Sequence, residues 1–335
     1  MESANIQSKI SNFPFLNVIL IMKKFFLFIL VILALCIASV YIFIPKKMVV
    51  SGALSFRANS DGLLRSLAEK GNWKNWWPGT VAKAGNGSLR FTNGDYDFQV
   101  REILYNAIQL KLFHRDDSSD GLLRIIPFNN DSMRIELLSQ LEAHSDPFSR
   151  VASFLRGKRI ERAFDDIVLS LSKYASNLKN IYGMDIKNER VQYQNLVSAK
   201  QSFSHYPTTD DVYAIVTRLR NYINQSGAKE LFSPMLNIKK TDSATYIAQV
   251  GLPIDRALPD KDDISSKWMM KGGNILTGEV TGGQKQIEEA DRQMQLYIMD
   301  YQRSIIAIPF QMLITDRTKE PDSTKWITRI YYPVV

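Results

Sequence analysis

The 335-residue chain holds one cysteine, Cys36, and three histidines, His114, His144 and His205. A single thiol excludes a disulfide framework and any multi-cysteine zinc site, and three scattered histidines leave little for metal or triad chemistry. No Gly-x-x-x-x-Gly-Lys phosphate loop is present; Gly278 to Lys285 comes near but sets Gln284 before the lysine. Gly85-Asn86-Gly87 reads as a turn, and neither His-Glu-x-x-His nor Cys-x-x-Cys occurs. Nothing local places a nucleophile beside an oriented base. The histidines are therefore expected at surfaces or edges, and no cofactor or metal is implied. What the chain has is packing material. With 45% apolar, 11% aromatic and 23% charged residues, wholesale disorder is excluded and the length allows about two domains.

The formal charge of +8 raises the question of nucleic acid. Residues 45–180 carry 20 basic and 15 acidic side chains, against 19 and 18 in residues 181–335. Most of the excess thus lies in the first half, with a knot at Arg150, Arg156, Lys158, Arg159 and Arg162. That knot reads as a solvated helix start, or as a face for anionic lipid headgroups. No helix-turn-helix, zinc-finger or RNA-binding signature accompanies it, so no nucleic-acid partner is expected. Protein partners are not legible.

Phe25 to Ile44 is a run of twenty residues without a charge, bracketed by Lys23, Lys24, Lys46 and Lys47. At 1.5 Å per residue it spans about 30 Å, the thickness of a bilayer's hydrocarbon core. A signal peptide would have a shorter apolar region and small residues at its cleavage site. Here Tyr41, Ile42, Phe43 and Ile44 are all bulky. An uncleaved anchor over 25–44 is the reading, after an extension over 1–24, with either Met1 or Met22 as the start. Lysines and arginine balance on the two sides, so orientation is only leaned towards extracytoplasmic domains.

After the anchor, Val49–Phe56 alternates as a strand does, and Ser60 and Asp61 offer caps to a helix carrying Leu63, Leu64 and Leu67. Strand-like runs follow at Ser88–Thr92, Tyr96–Ile103, Ala107–His114, Leu122–Phe128 and Met133–Leu141. Ile160, Phe164, Ile167, Leu171, Tyr174 and Leu178 form the stripe of a long helix. This layout over 48–178, with Trp73, Trp76, Trp77 and Pro78 after the first helix, resembles the START-like SRPBCC superfamily of helix-grip folds. The resemblance implies a curved antiparallel sheet around the long helix and a hydrophobic cavity. The three tryptophans then either plug the end of the barrel or contact a ligand.

The second half repeats itself. Val191–Ala199 reads as a strand, Thr209–Gln225 as a helix, and Ser233–Ile238 and Ala244–Pro253 as strands. The same order returns as strand Asn274–Val280, a helix carrying Ile287, Ala290, Met294, Tyr297, Ile298 and Tyr301, and strands Phe310–Asp316 and Trp326–Val334. Two βαββ units, about 191–254 and 272–335, are expected to pack about a pseudo-twofold axis into one domain over 188–335. The fold class is α+β. The closing stretch from Ile314-Thr315-Asp316 through Lys325-Trp326 to Tyr332-Pro333-Val334 resembles the gyrase-inhibitor-like (GyrI-like) effector-binding domains. That resemblance implies a small organic ligand in an aromatic groove between the repeats.

Departures from the family's pattern shape the expected ligand. Gln311 stands where members carry an acidic residue, Leu313 replaces a common tyrosine, and Gly282-Gly283-Gln284 replaces a Gly-Pro-Tyr-like turn. A neutral amide supplies no Coulomb attraction to a desolvated cation. Glu279 is left as the candidate carboxylate of the groove, or as an exposed strand-end residue. The expected function is membrane-anchored binding of a small hydrophobic or amphipathic molecule, contacted by Trp73, Trp76, Trp77, Gln311, Leu313, Trp326 and Glu279. One alternative is hydrolysis of reactive small molecules in the GyrI-like half, with Glu279 as the candidate catalytic group and Tyr297 or Tyr331 beside it. The other is a scaffold whose pockets are filled by their own side chains.

Overall fold

The computed structural model describes residues 13–83, 89–115, 117–143, 145–241 and 244–335. His144 and the Gly85-Asn86-Gly87 turn lie outside the described residues. The first element among the described residues is helix α1, Phe13–Phe43. Within it, Ile21–Phe43 is long and apolar enough to cross a membrane, with a mean hydropathy of 3.0. Its central side chains are not buried against the rest of the protein. At 1.5 Å per residue its 23 residues reach about 35 Å.

The order continues β1 (Lys47–Phe56), α2 (Ser60–Ala68), a 3-10 turn (Lys70–Asn75), β2 (Thr80–Lys83), β3 (Leu89–Asn93), β4 (Tyr96–Ile103), β5 (Ala107–His114), β6 (Asp117–Pro127), β7 (Met133–Glu142), α3 (Pro147–Ala175) and α4 (Leu178–Tyr182). Then come β8 (Ile186–Arg190), β9 (Asn195–Phe203), α5 (Thr209–Gln225), β10 (Met235–Lys240), β11 (Tyr246–Ile254), β12 (Ser265–Trp268), β13 (Asn274–Thr281), α6 (Gln284–Asp300), β14 (Phe310–Leu313) and β15 (Ile327–Pro333). The fold is mixed α+β, with a seven-stranded sheet ordered β1-β7-β6-β5-β4-β3-β2 and an eight-stranded one ordered β12-β9-β11-β10-β14-β15-β13-β8. The pairings resolved strand by strand are antiparallel. By compactness the chain divides into Met1–Ala53, Pro78–Arg124 and Glu136–Val168 as one unit, and Leu54–Trp77, Ile125–Ile135 and Leu169–Val335 as the other.

In the first unit, α3 lies on β1 so closely that only glycine fits at position 52. A Cβ there would come within 2.7 Å of the Phe164 backbone. Phe164 of the expected stripe meets Phe98 of β4 with ring centroids 6.2 Å apart, whereas Leu178, expected on the same helix, lies in α4.

The second unit is tied at its edge by a buried charge cluster. Asp300, at the end of α6, accepts from Arg65 of α2 through both carboxylate oxygens, and Tyr182 donates to it at 2.6 Å. Asn59 caps α2 by accepting from Asp61 N and Gly62 N, and its amide donates to the Asp300 carbonyl at 2.8 Å. Its partner Asp300 raises the Arg65 pKa through their hydrogen bond, against burial. Burial and the same carboxylate push the Tyr182 hydroxyl up, so it remains a donor.

Helix α5 begins with a capping box: Thr208 Oγ1 accepts from Asp211 N, and the Asp211 carboxylate accepts from Thr208 N at 2.9 Å. That backbone bond first, then the Thr208 hydroxyl and His205, hold the Asp211 pKa below the ordinary aspartate range. A lowered folded-state value stabilises above the unfolded value and is lost as pH falls through the lowered one. The melting-temperature gap between the native chain and Asp211→Ala should thus be full above about pH 5 and close in stronger acid. A gap that persists unchanged to the acid limit would exclude this ionisation as its source.

Candidate functional site

Alternation along the second sheet decides which side chains meet. Leu236, Leu313, Val197 and Val250 belong to the core under α5. Leu276, Ile330 and Tyr332 belong to the core under α6. Their neighbours Met235, Ile275, Phe310, Met312 and Tyr331 stand on the other face, where they cluster with Val191, Tyr193 and Met269 and with no residue of α5 or α6. On that face a pocket of about 140 Å³ opens between Tyr193 and Phe232 on one side and Phe310, Met312 and Tyr331 on the other. Phe310 and Tyr331 stack with centroids 4.9 Å apart and planes 7° from parallel. Tyr193 and Phe232 meet at 4.2 Å.

The rim is polar and balanced. Arg329 pairs with Glu279 at 2.8 Å, and hydrogen bonds to Glu279 and then Tyr331 raise its pKa. Tyr193 is pushed up to about 12 by burial, the nearby Tyr331 and a hydrogen bond with it. It therefore offers a neutral hydroxyl at any physiological pH. Glu189 and Arg190 also reach the pocket, one of each sign. With Glu279 counted as the partner of Arg329 just outside that lining, the charges cancel, and a charged ligand meets no net opposite charge to offset its desolvation.

The structure separates several of the residues singled out by sequence. Gln311 alternates onto the face of Leu313, and Leu313 is 1% exposed in the α5 core. Both are on the helix side, away from the aromatic pocket. Trp326 is held by its Nε1 donating to Glu320 O at 2.8 Å and by Arg317 stacked on its ring at 4.6 Å. Trp73, Trp76 and Trp77 are buried against one another, with centroids 5.0 to 6.3 Å apart, and Trp73 donates to Leu67 O. Glu279 does reach the groove side, but as the ion-pair partner of Arg329. It also lines a wide, polar cleft of about 850 Å³ beside β8 with Lys179, Lys187, Lys285 and Glu289. Tyr297 instead stacks on Tyr301 at 4.4 Å in the α6 core.

Sequence reasoning missed Tyr193, Phe232, Met269, Phe310 and Met312. The available signal was the period-2 pattern of Phe310 to Leu313, which is apolar on both faces apart from Gln311. In the first unit, a cleft of about 410 Å³ is lined by Lys111, His114, Asp117, Asp120, Glu142 and Arg156, a charged lining. Among the described residues no three His, Cys, Asp or Glu side chains converge as a metal site.

The sequence matches no protein-family model and no curated protein. Solved structures overlap parts of the fold. The EcmrR C-terminal domain is 13% identical, with a TM-score of 0.37 over 45% of this chain and 98% of that one. An EcmrR–DNA complex gives 13% identity and a TM-score of 0.41 over 56% and 71%. The Zhui aromatase/cyclase from a Streptomyces species gives 12% and 0.31 over 39% and 94%. Overlaps at this level place the chain in no family. They do correct one expectation. The exclusion of a nucleic-acid partner, drawn from missing motifs, does not stand, because one similar chain is in a complex with DNA. A missing recognition motif removes one mode of binding and leaves the partner class open.

Proposed function

We propose that the chain is a single-pass membrane-anchored protein that binds a neutral, apolar or amphipathic small molecule in the pocket walled by Tyr193, Phe232, Phe310, Met312 and Tyr331. The observation that carries this is an aromatic and thioether pocket on the sheet face that α5 and α6 leave uncovered. An apolar cavity of about 150 Å³ accommodates benzene, so a volume of about 140 Å³ suits a ligand head of one ring. Its polar end would meet the Tyr193 hydroxyl and the Arg329–Glu279 pair.

The same reading takes 48–178 as a helix-grip domain and 188–335 as a GyrI-like domain of two βαββ copies, about 191–254 and 272–335. Supporting the duplication, α5 and α6 are both 17 residues long. Each precedes an antiparallel strand pair, and β10 and β14 pair at the centre of the sheet. The apolar stretch Ile21–Phe43 supports the anchor. An arginine at the centre of a span costs about 3 kcal/mol on the translocon scale. Leu33→Arg should therefore shift the chain from the carbonate-resistant membrane pellet towards the supernatant. Retention unchanged in the pellet would count against the anchor.

The binding claim is tested by thermal shift of the full chain in detergent against neutral one- and two-ring aromatics, fatty acids and cationic dyes. A ligand at a hundred times its Kd stabilises by about 2.7 kcal/mol. Neutral aromatics should raise the melting temperature, and cationic dyes should not. No shift with any neutral aromatic would refute binding of that class.

A further inference from the structure

We infer that the first two turns of α3 form a second membrane contact, laid against the bilayer surface where α1 emerges. This rests on the anchor reading of α1, and the position of the two segments carries it further. Tyr41, in the last turn of α1, donates its hydroxyl to Ser145 O at 2.9 Å, just before α3 starts. Arg150 Nε donates to Ile44 O at 2.7 Å, and its guanidinium lies 4.9 Å from the centre of the Tyr41 ring. The start of α3 is thereby fixed beside the end of the apolar helix. If α1 spans a bilayer, Tyr41 sits at interfacial depth, where tyrosines are enriched, and α3 begins there too.

The outward face of α3 matches that position. Ser153, Gly157, Ile160 and Phe164 are its buried side. At 100° per residue, Phe148, Val151, Ala152, Leu155, Arg159 and Arg162 fall on the opposite arc. All six are exposed, Phe148 at 84% and Leu155 at 53%. The stripe is apolar through Leu155 and then carries Arg159 and Arg162, with Asp166 beyond them. Arg156 is bound to Asp117 and Lys158 to Glu161, whereas no ion-pair partner is found for Arg159 or Arg162 among the described residues. Apolar side chains nearest the span, followed one to two turns further out by arginines without an ion-pair partner, match the order that a bilayer presents from its acyl boundary to its phosphates. A folded protein rarely leaves such a run of large apolar side chains uncovered without a partner. Its continuity with α1 selects the bilayer as that partner.

The test uses the full chain in nanodiscs of neutral and anionic lipid carrying brominated acyl chains. An environment-sensitive fluorophore is placed on native Cys36, or in a Cys36→Ser background on Phe148→Cys, Val151→Cys, Leu155→Cys or Asp166→Cys. The last lies on the same outward stripe but further along the helix. The expected result is loss of emission at positions 36, 148, 151 and 155, and none at 166. Quenching at 36 without quenching at 148, 151 and 155 overturns the inference and leaves the anchor standing. No quenching at 36 overturns the anchor, and this inference with it. Self-quenching between labels at 148 that grows with the number of copies per disc, without quenching by lipid, assigns the face to a second copy and also overturns it. All labelled sites on α3 are exposed, and matching circular-dichroism melts confirm that each variant is folded.

Discussion

Asp300→Ala is expected to cost about 3 kcal/mol of stability. The carboxylate is nearly inaccessible, at 4% side-chain exposure, whereas its partner Arg65 is 41% exposed. Removing the acid leaves the buried Tyr182 hydroxyl without its acceptor and strips Arg65 of its counter-charge. Partial exposure lets water reclaim part of the guanidinium, which keeps the loss near the lower end for a broken buried pair. Tyr182→Phe removes one hydrogen bond only and should cost about 1 kcal/mol. Urea unfolding of the full chain in detergent measures both. The double variant Arg65→Ala/Asp300→Ala should be more stable than the sum of the singles predicts, by about 1–3 kcal/mol of coupling. Strict additivity would mean that the cluster carries no pairwise energy.

Met312→Trp should abolish ligand binding while leaving the fold intact. The indole would occupy most of a pocket of about 140 Å³ whose other walls are already aromatic. Phe310→Ala acts in the opposite sense, by removing a wall. One aromatic ring contributes about 2 kcal/mol of burial, so affinity should weaken about thirtyfold. Gln311→Ala, one residue away on the other face, should change affinity less than twofold, since its side chain alternates away from the pocket. Isothermal titration of the full chain with whichever aromatic gives the largest thermal shift reads all three. If Gln311→Ala weakened binding as much as Phe310→Ala, the ligand would lie on the helix face and the assignment of the pocket would be wrong.

The elements best anticipated from sequence were those with strong local signals. The helix Thr209–Gln225 was delimited by its stripe and ends in the structure at the same residues, fixed by the Thr208 capping box. The strands Tyr96–Ile103 and Ala107–His114 also have the expected limits. The strands β2, β8 and β12 were missed. They read Thr-Val-Ala-Lys, Ile-Lys-Asn-Glu-Arg and Ser-Ser-Lys-Trp, short and mostly exposed edge strands held by a neighbour's hydrogen bonds rather than by a buried face. The strand expected over Val191–Ala199 lies further along the chain, as β9, Asn195–Phe203. Val191 is apolar because it joins the pocket cluster, while the strand itself begins at Asn195.

Measured against the proposed pocket, the residues expected from sequence differ in strand parity. The expectation is an aromatic groove in the second half with Gln311 and Leu313 as contacts, whereas Phe310 and Met312 line the pocket. A one-residue error along a strand changes the face of every side chain, and which face α5 covers depends on packing remote in sequence. The tryptophan cluster is open in sequence between plug and contact, and its three rings pack against one another. Glu279 is left by the sequence as either the groove's carboxylate or an exposed strand-end residue, and its neutralisation by Arg329 depends on the Glu279–Arg329 register between β13 and β15.

The eight-stranded sheet is narrowest at its middle. β9 and β11 share nine residue pairs, whereas β10 and β14 share two, Met235 with Met312 and Leu236 with Gln311. A side-chain brace from Asn237 Nδ2 to Pro309 O at 2.8 Å supplements this seam. Met235 and Met312 both belong to the aromatic cluster, and Met312 lines the pocket together with Phe232 and Ser233, which lead into β10, so under the proposed reading a ligand there would tie the two sides of the shortest ladder together. On the proposed reading the molecule would act as a clasp whose occupancy is felt as stiffness: amide hydrogen exchange at Leu236, Asn237 and Leu313 should slow when the pocket fills, while the nine-pair ladder between β9 and β11 keeps its rate.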